Sequence, residues 1–132
     1  MNIHTIKLPC IPDERGSLVP IEFPTLPFEP QRIFYVYGVK DGCFRGDHAH
    51  YATEQFIVAV NGHLDVEYND CQINGIIELN SPDVGVYVPP GVWTRIIFNN
   101  NAMMLVLASF PYYQFDYITD AEVFKRWKSG LK

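Results

Sequence analysis

Residues 42–55 read Gly42-Cys43-Phe44-Arg45-Gly46-Asp47-His48-Ala49-His50-Tyr51-Ala52-Thr53-Glu54-Gln55, and Gly62 follows after the apolar run Phe56–Val60. Side chains alternate along an extended strand, so His48 and His50 share one face and Ala49 takes the other. Two imidazoles spaced by one small residue, preceded by Arg45-Gly46, set two groups that titrate near neutrality side by side. Inside a small barrel such groups are costly unless they are paired or used. This stretch is both a strand and a candidate site.

The chain on either side of it is strand after strand. Ile3–Leu8, Ser17–Phe23, Arg32–Tyr37, Gln55–Val60, Leu64–Tyr68, Ile73–Leu79, Val84–Val88, Trp93–Phe98 and Met103–Phe110 are short runs rich in Val, Ile, Tyr and Phe. Asp-Gly, Asn-Gly, Asn-Asp, Ser-Pro and Pro-Pro-Gly turn signals separate them. A spacing of roughly 8–12 residues between strands predicts a sandwich or barrel. Six of the ten prolines fall in the first thirty residues, which predicts an extended N-terminal arm over residues 1–30. One helix closes the chain: Thr119-Asp120-Ala121-Glu122 has the form of a capping box, Val123, Phe124 and Trp127 recur at helical spacing, and Gly130 is the expected stop. The Phe and Trp read as a packing stripe. Residues 1–132 are expected to form a single domain, about right for one unit of ~100–200 residues.

Composition narrows the function. Hydrophobic residues are 48% and charged residues 19% of the chain, which excludes a disordered or fibrous protein. The longest apolar runs, Phe56–Val60 and Ala102–Ala108, fall far short of the ~20 residues of a spanning helix, and no secretory leader is expected at the N-terminus. Three unpaired cysteines (Cys10, Cys43, Cys71) read as reduced thiols and predict a cytoplasmic protein. Of the ten basic residues, Lys125, Arg126, Lys128 and Lys132 occupy the last eight positions, so the body carries six basic against fifteen acidic groups. Such a body repels a phosphate backbone, and nucleic acid is not expected as a partner. An anionic small ligand must then be held by the arginines of the body: Arg15, Arg32, Arg45 and Arg95.

A second stretch, Gly85-Val86-Tyr87-Val88-Pro89-Pro90-Gly91-Val92-Trp93-Thr94, pairs with the first. Together they resemble the two cupin motifs, which implies an all-β double-stranded β-helix (a jelly-roll barrel) with one short C-terminal helix. Metal-dependent cupins ligate through two His, a Glu and a third His, a set that suits divalent iron, nickel or manganese. Here the corresponding positions hold Gln55 and Thr94, and Glu54 faces the wrong way unless the strand slips by one residue. His4 and His63 have no spacing that joins them to the pair. No metal and no other cofactor is expected.

The chain more specifically resembles the sugar nucleotide 3,4-ketoisomerases, metal-independent cupins that act on dTDP-4-keto-6-deoxyglucose. The resemblance runs through Arg15-Gly16-Ser17-Leu18, Ile21-Glu22, Pro27-Phe28, Arg32-Ile33-Phe34-Tyr35, the Arg45-Gly46-x-His48-Ala49-His50 core with Gln55, Ser81-Pro82, Val92-Trp93, Val106-Leu107-Ala108-Ser109 and Asp116-Tyr117-Ile118. Three positions depart from that family: Tyr51 replaces a lysine, Thr119 an arginine, and Thr94 a frequent histidine.

The resemblance implies an isomerase that moves a carbonyl from carbon 4 to carbon 3 through an enediol. His48 and His50 are then the acid–base pair, with His50 assigned to the carbon and His48 to the oxygens; the two roles are interchangeable on sequence grounds. Tyr37, which shares strand parity with Tyr35, is a candidate for the proton shuttle. Arg15, Arg32 and Arg45 are candidates for the diphosphate, with Arg95 in reserve, since guanidinium groups hold phosphate through forked hydrogen bonds. Tyr35, Gln55 and Trp93 complete the expected substrate-binding set. The resemblance also implies a homodimer that exchanges N-terminal strands. The competing readings are a metal-dependent cupin enzyme and a non-catalytic nucleotide-sugar-binding cupin.

Overall fold

The protein, described here over residues 1–131 by a computed structural model, is built from antiparallel strands, eight in one main sheet and two in a separate hairpin. Lys132 of the basic tail lies outside the described residues. In chain order the strands are β1 (His4–Lys7), β2 (Ile11–Asp13), β3 (Gly16–Leu18), β4 (Arg32–Val36), β5 (Phe44–His50), β6 (Gln55–Asn69), β7 (Asn74–Leu79), β8 (Val84–Val88), β9 (Trp93–Ala108) and β10 (Tyr117–Ile118), followed by helix α1 (Ala121–Gly130). The main sheet runs β1-β8-β6-β9-β5-β10, with β4 also on β9 and β7 on β6. This is the double-stranded β-helix expected from the motifs.

Two long strands hold it together. The sequence predicts separate strands at Gln55–Val60 and Leu64–Tyr68, but β6 runs unbroken from Gln55 to Asn69 and lies against β9 along most of its length. The Asn61-Gly62 signal is a corner inside the strand and not a hairpin. Gly62 has φ +73°, and a Cβ there would stand 2.5 Å from the Asn100 carbonyl, so only glycine lets the two bent strands meet. On β9 the same corner falls at Asn100 and Asn101, both left-handed, and joins the two strands expected at Trp93–Phe98 and Met103–Phe110.

Side chains of alternating parity fill the interior. Ile57, Leu64, Val66, Val86, Phe98 and Val106 are all at most 1% exposed and pack in one cluster. Phe56 faces the other way, into a second cluster with Leu8, Leu26, Phe28 and Tyr87. Gly85 gives that ring its room: a Cβ there would lie 2.2 Å from Phe56.

The N-terminal region, where an extended arm is expected, has two parts. Its first strand is part of the main sheet, and Leu8, Leu26 and Phe28 are core residues, so what stands off is the β2–β3 hairpin, exposed at every position. The strand expected over Ser17–Phe23 stops at Leu18 because Pro20 and then Pro24 lack the amide a ladder needs. At the other end the helix cap is Asp120 and not Thr119: its carboxylate accepts the Glu122 and Val123 amides at 2.8 and 3.3 Å. Gly130 is still helical, and Leu131 caps the end. Phe124 seals α1 onto Ala49 and Ile118, the packing role read from its spacing.

Candidate active site

The inner faces of four strands and one residue of β10 enclose a cavity of about 260 Å³. Its floor is apolar: Phe34 and Val36 from β4, Ile57 from β6, and Ile96, Met104 and Val106 from β9. Its polar rim carries Arg32, Arg45, His48, Gln55, Thr94 and Tyr117. These arrive from distant parts of the chain because β9 pairs with β4, β5 and β6 at once.

One local irregularity assembles the rim. In an unbroken strand Arg45 and His48 would point to opposite faces. A bulge between Gly46 and His48 resets the parity, with Gly46 at φ +88° and Asp47 at φ +66°, and Arg45 joins His48 on the cavity. The Trp93 indole donates to the Asp47 carboxylate at 2.9 Å across the bulge.

Behind His48 sits His50, 6% exposed, its ring edge-on at 5.0 Å. Tyr117 covers both rings, 4.4 Å from His50 and 5.0 Å from His48. His50 shares an Nδ1 hydrogen bond of 2.9 Å with Asp116, and that carboxylate also accepts the Ala52 amide at 2.8 Å, the Thr53 amide at 3.3 Å and the Thr53 hydroxyl at 2.5 Å. Gly91, from the second motif, donates its amide to the His50 carbonyl at 2.9 Å, so the two motifs meet on this residue.

The electrostatics follow from burial. Desolvation, and then the charge of His50, holds the His48 imidazole below the ordinary 6.5, although the Gly46 backbone and Asp47 pull upward. His50 is also lowered, by desolvation first; Asp116 opposes this and Arg32 adds to it. Burial pushes the Asp116 carboxyl up, but the hydrogen bonds from Thr53, Ala52 and His50 together outweigh it, and the group lies below its ordinary value. Both histidines are therefore neutral, and the aspartate ionised, at pH 7.

The arginines divide into two kinds. Arg95 is on the outer face of β9, bonded to Glu67 at 2.7 Å, and Arg15 in the β2–β3 hairpin is bonded to Asp13 at the same distance. Arg32 and Arg45 have no carboxylate within 4.0 Å among the described residues; Arg32 donates to the Tyr117 hydroxyl at 3.3 Å and lies over the Phe34 ring.

Of the residues singled out from sequence, Arg32, Arg45, His48 and Gln55 line the cavity, with His50 behind it. Five do not line it in this chain. Tyr35 and Tyr37 are parallel neighbours, as their parity requires, but on the outer side of β4, 62% and 68% exposed. Trp93 and Arg95 flank the inward Thr94 and so face outward, while Arg15 is out on the hairpin. Gln55 and Thr94, the positions where a metal cupin has ligands, are both on the rim as neutral groups. His63, Asp65 and Glu78 do converge, but on the outer face of β6 and β7.

Comparison with known proteins now adds to this geometry. The family described as FdtA: WxcM-like, C-terminal matches residues 1–129. A TDP-4-oxo-6-deoxy-alpha-D-glucose-3,4-oxoisomerase from Aneurinibacillus thermoaerophilus is 40% identical over 129 residues, 96% of this chain and 93% of that one. The chain belongs to the sugar nucleotide 3,4-ketoisomerase family.

Members of the family share the fold closely. A 3,4-ketoisomerase from Helicobacter canadensis superposes with a TM-score of 0.93 at 34% identity, covering 98% of both chains. QdtA, the 3,4-ketoisomerase of Thermoanaerobacterium thermosaccharolyticum, has a TM-score of 0.94 with this chain in two structures, one with TDP and one with TDP-4-keto-6-deoxyglucose. The identities are 33% and 32%, and 98% of this chain is covered in each. ChmJ, a 3′-monoepimerase from Streptomyces bikiniensis, is 16% identical with a TM-score of 0.77 and shares the fold alone. This protein is thus an isomerase of the ketoisomerase family.

Sequence reasoning passed over Asp116, Thr53 and Tyr117 as site residues. Asp116 and Tyr117 stand in the Asp-Tyr-Ile segment that carries part of the family resemblance. No spacing rule ties Asp116 to a histidine 66 positions earlier. The pairing of β10 with β5, Tyr117 opposite His50, is what joins them.

Proposed function

We propose that this ketoisomerase converts dTDP-4-keto-6-deoxyglucose into a dTDP-3-keto-6-deoxyhexose by histidine-mediated proton transfer through an enediol. The observation that carries the reading is the cavity's pairing of two guanidinium groups without carboxylate partners among the described residues, Arg32 and Arg45, with a neutral imidazole, His48. A doubly charged diphosphate suits the arginines, and their charge is not spent within the chain. The 4-keto group acidifies the proton on carbon 3, so a base titrating near neutrality suffices to remove it.

We place His48 at the carbon, because it is on the cavity wall and His50 is behind it. This reverses the order assigned from sequence. His48 takes the carbon-3 proton, the carbon–hydrogen electron pair forms the enediol double bond, and the imidazolium returns a proton to carbon 4. As the double bond forms, the carbonyl electron pair moves to the carbon-4 oxygen, which takes a proton. When carbon 4 is protonated, the carbon-3 hydroxyl gives up its proton and becomes the carbonyl. One proton thus passes net from the carbon-3 to the carbon-4 oxygen on the His50–Tyr117 side of the cavity. His48 and His50 are thus the catalytic pair; Arg32, Arg45 and Gln55 bind substrate.

The same reading includes a cytoplasmic homodimer with exchanged N-terminal strands. Supporting it are three exposed, unpaired cysteines and, among the described residues, the lack of any helix long and apolar enough to cross a membrane. Supporting the dimer are Ile11 and Leu18 on the projecting hairpin and Ile33, Tyr35 and Tyr37 outside β4, all more than half exposed. Sedimentation of the purified protein decides its mass.

Proton NMR with dTDP-4-keto-6-deoxyglucose in heavy water tests the reaction. A 3-keto product with deuterium at carbon 4 is the expected result. Nucleotide binding without turnover would make this a binding module.

A further inference from the structure

His50 Nε2 is buried and has no hydrogen-bond partner among the described residues. A buried ring nitrogen without a partner is costly, and each such group in a folded protein calls for a reason. On the other side of the same ring Nδ1 is bonded to Asp116, whose two oxygens are held by three further donors. The donors are asymmetric. The Ala52 amide fixes Oδ1, while the Thr53 hydroxyl and amide hold Oδ2, the oxygen that meets His50. An ionised carboxylate can only accept, so Nδ1 must carry the proton and Nε2 must carry the lone pair.

We infer that Asp116 is a positioning residue of the isomerase: clamped by Thr53 and the Ala52 amide, it locks His50 as the Nδ1–H tautomer and keeps Nε2 as the bare proton acceptor beside His48 and Tyr117. This deepens the proposed function and rests on it. Four groups face the His50 ring: His48 on its own strand, Asp116 at the end of the 3-10 turn Gln114–Asp116 that leads into β10, Tyr117 on β10, and the charge of Arg32 on β4. Among them Asp116 is the one anion. It opposes the desolvation and the Arg32 charge that lower the His50 pKa, and it binds the ring in one orientation.

The geometry makes an unusual demand of Asp116→Asn. The Ala52 amide bond to Oδ1 is the shorter of the two backbone bonds, 2.8 against 3.3 Å for the Thr53 amide on Oδ2. Keeping it turns the new NH2 toward His50 Nδ1 at the expense of the longer one, with the Thr53 hydroxyl rotating to accept. Nδ1 must then accept, and the proton moves to Nε2. The test reads this first on free protein: nitrogen-15 NMR of the His50 ring in the wild type and in Asp116→Asn, followed by kcat and KM with dTDP-4-keto-6-deoxyglucose.

The expected result is Nδ1–H in the wild type, Nε2–H in the variant, and a kcat at least about 100-fold lower with KM changed less than threefold, as a wrong tautomer produces. A wild-type ring protonated at Nε2, a variant that keeps the wild-type tautomer, or a kcat within threefold of wild type overturns the inference. If Asp116→Asn does not fold, Thr53→Val takes its place. Loss of the hydroxyl concentrates charge on Oδ2 and raises the His50 pKa in an NMR titration, and Thr53→Ser restores it; an unchanged titration in Thr53→Val overturns the inference. If the wild type does not isomerise this sugar, the proposed function falls, while the tautomer measurement still decides the role of Asp116.

Discussion

The two faces of the β4–β9 ribbon use the same residue types to opposite ends. On the inside Arg32 stands beside an apolar floor with no carboxylate partner among the described residues, and on the outside Arg95 is tied to Glu67. On the inside Tyr117 lies over two histidines; on the outside Tyr35 and Tyr37 lie open. His48 lines the cavity as a neutral imidazole, while His63 on the outer side of β6 bonds Asp65 at 2.7 Å. Residue type alone therefore says little here. Strand parity decides whether a charge is neutralised on the outer face or turned to the cavity.

The comparison breaks or stands first on the histidines. His48→Asn is expected to lower kcat by about 10³-fold, in the range of a lost general acid–base, while His63→Asn leaves kcat within twofold. Comparable losses in both variants would mean that the cavity is not where the reaction occurs. The arginines come next. A charge-assisted hydrogen bond is worth about 1.5–3 kcal/mol, so Arg32→Ala or Arg45→Ala raises KM for the nucleotide sugar about 10- to 100-fold, and Arg95→Ala raises it less than threefold. Titration of each variant with TDP measures the same difference in the absence of turnover.

A smaller effect is expected with pH. Both His48 and His50 have folded pKa values below 6.5, so the unfolded chain binds more protons in the window between those values and 6.5. Their contribution to stability is whole above 6.5 and is lost as pH falls through the window. The urea midpoint drops from pH 7.5 to pH 5.5, and the His48→Asn/His50→Asn double variant loses that part of the drop; an equal drop in both chains counts against two neutral buried rings. The same two groups are expected to put the acid limb of kcat/KM below 6.5.

The smallest expected effect sharpens the comparison. Tyr37→Phe leaves kcat within threefold, since its hydroxyl is on the outer side of β4. A larger loss would mean that a second copy carries the outer face of one chain to the cavity of another, and a concentration dependence of the activity would show it.

Much of this architecture is legible in the chain itself. Alternation in Leu64–Tyr68, the turn signals and the two glycine-bounded motifs suffice for a β-barrel, because each rests on local backbone and side-chain rules. The pair His48 and His50 is legible for the same reason: a period of two acts over three residues. Where chain-local rules end, so does the reading. Asn61-Gly62 has the composition of a hairpin turn, yet the packing of β6 on β9 makes it a corner within one strand. Arg45 reaches the cavity only through the bulge at Gly46 and Asp47, and five of the residues expected at the site face elsewhere in this chain.

By itself, then, the sequence determined most of the strand positions and the histidine pair, which follow from periodicity and short motifs, and pointed to the family through the resemblance of those motifs to known members. Tertiary structure alone decided which arginines stay unpaired, which histidine meets the cavity, and that Asp116 holds the other. The physical reason is that hydrogen bonding and desolvation depend on neighbours brought together by strand pairing across 66 residues of chain, a distance over which spacing in the sequence carries no register.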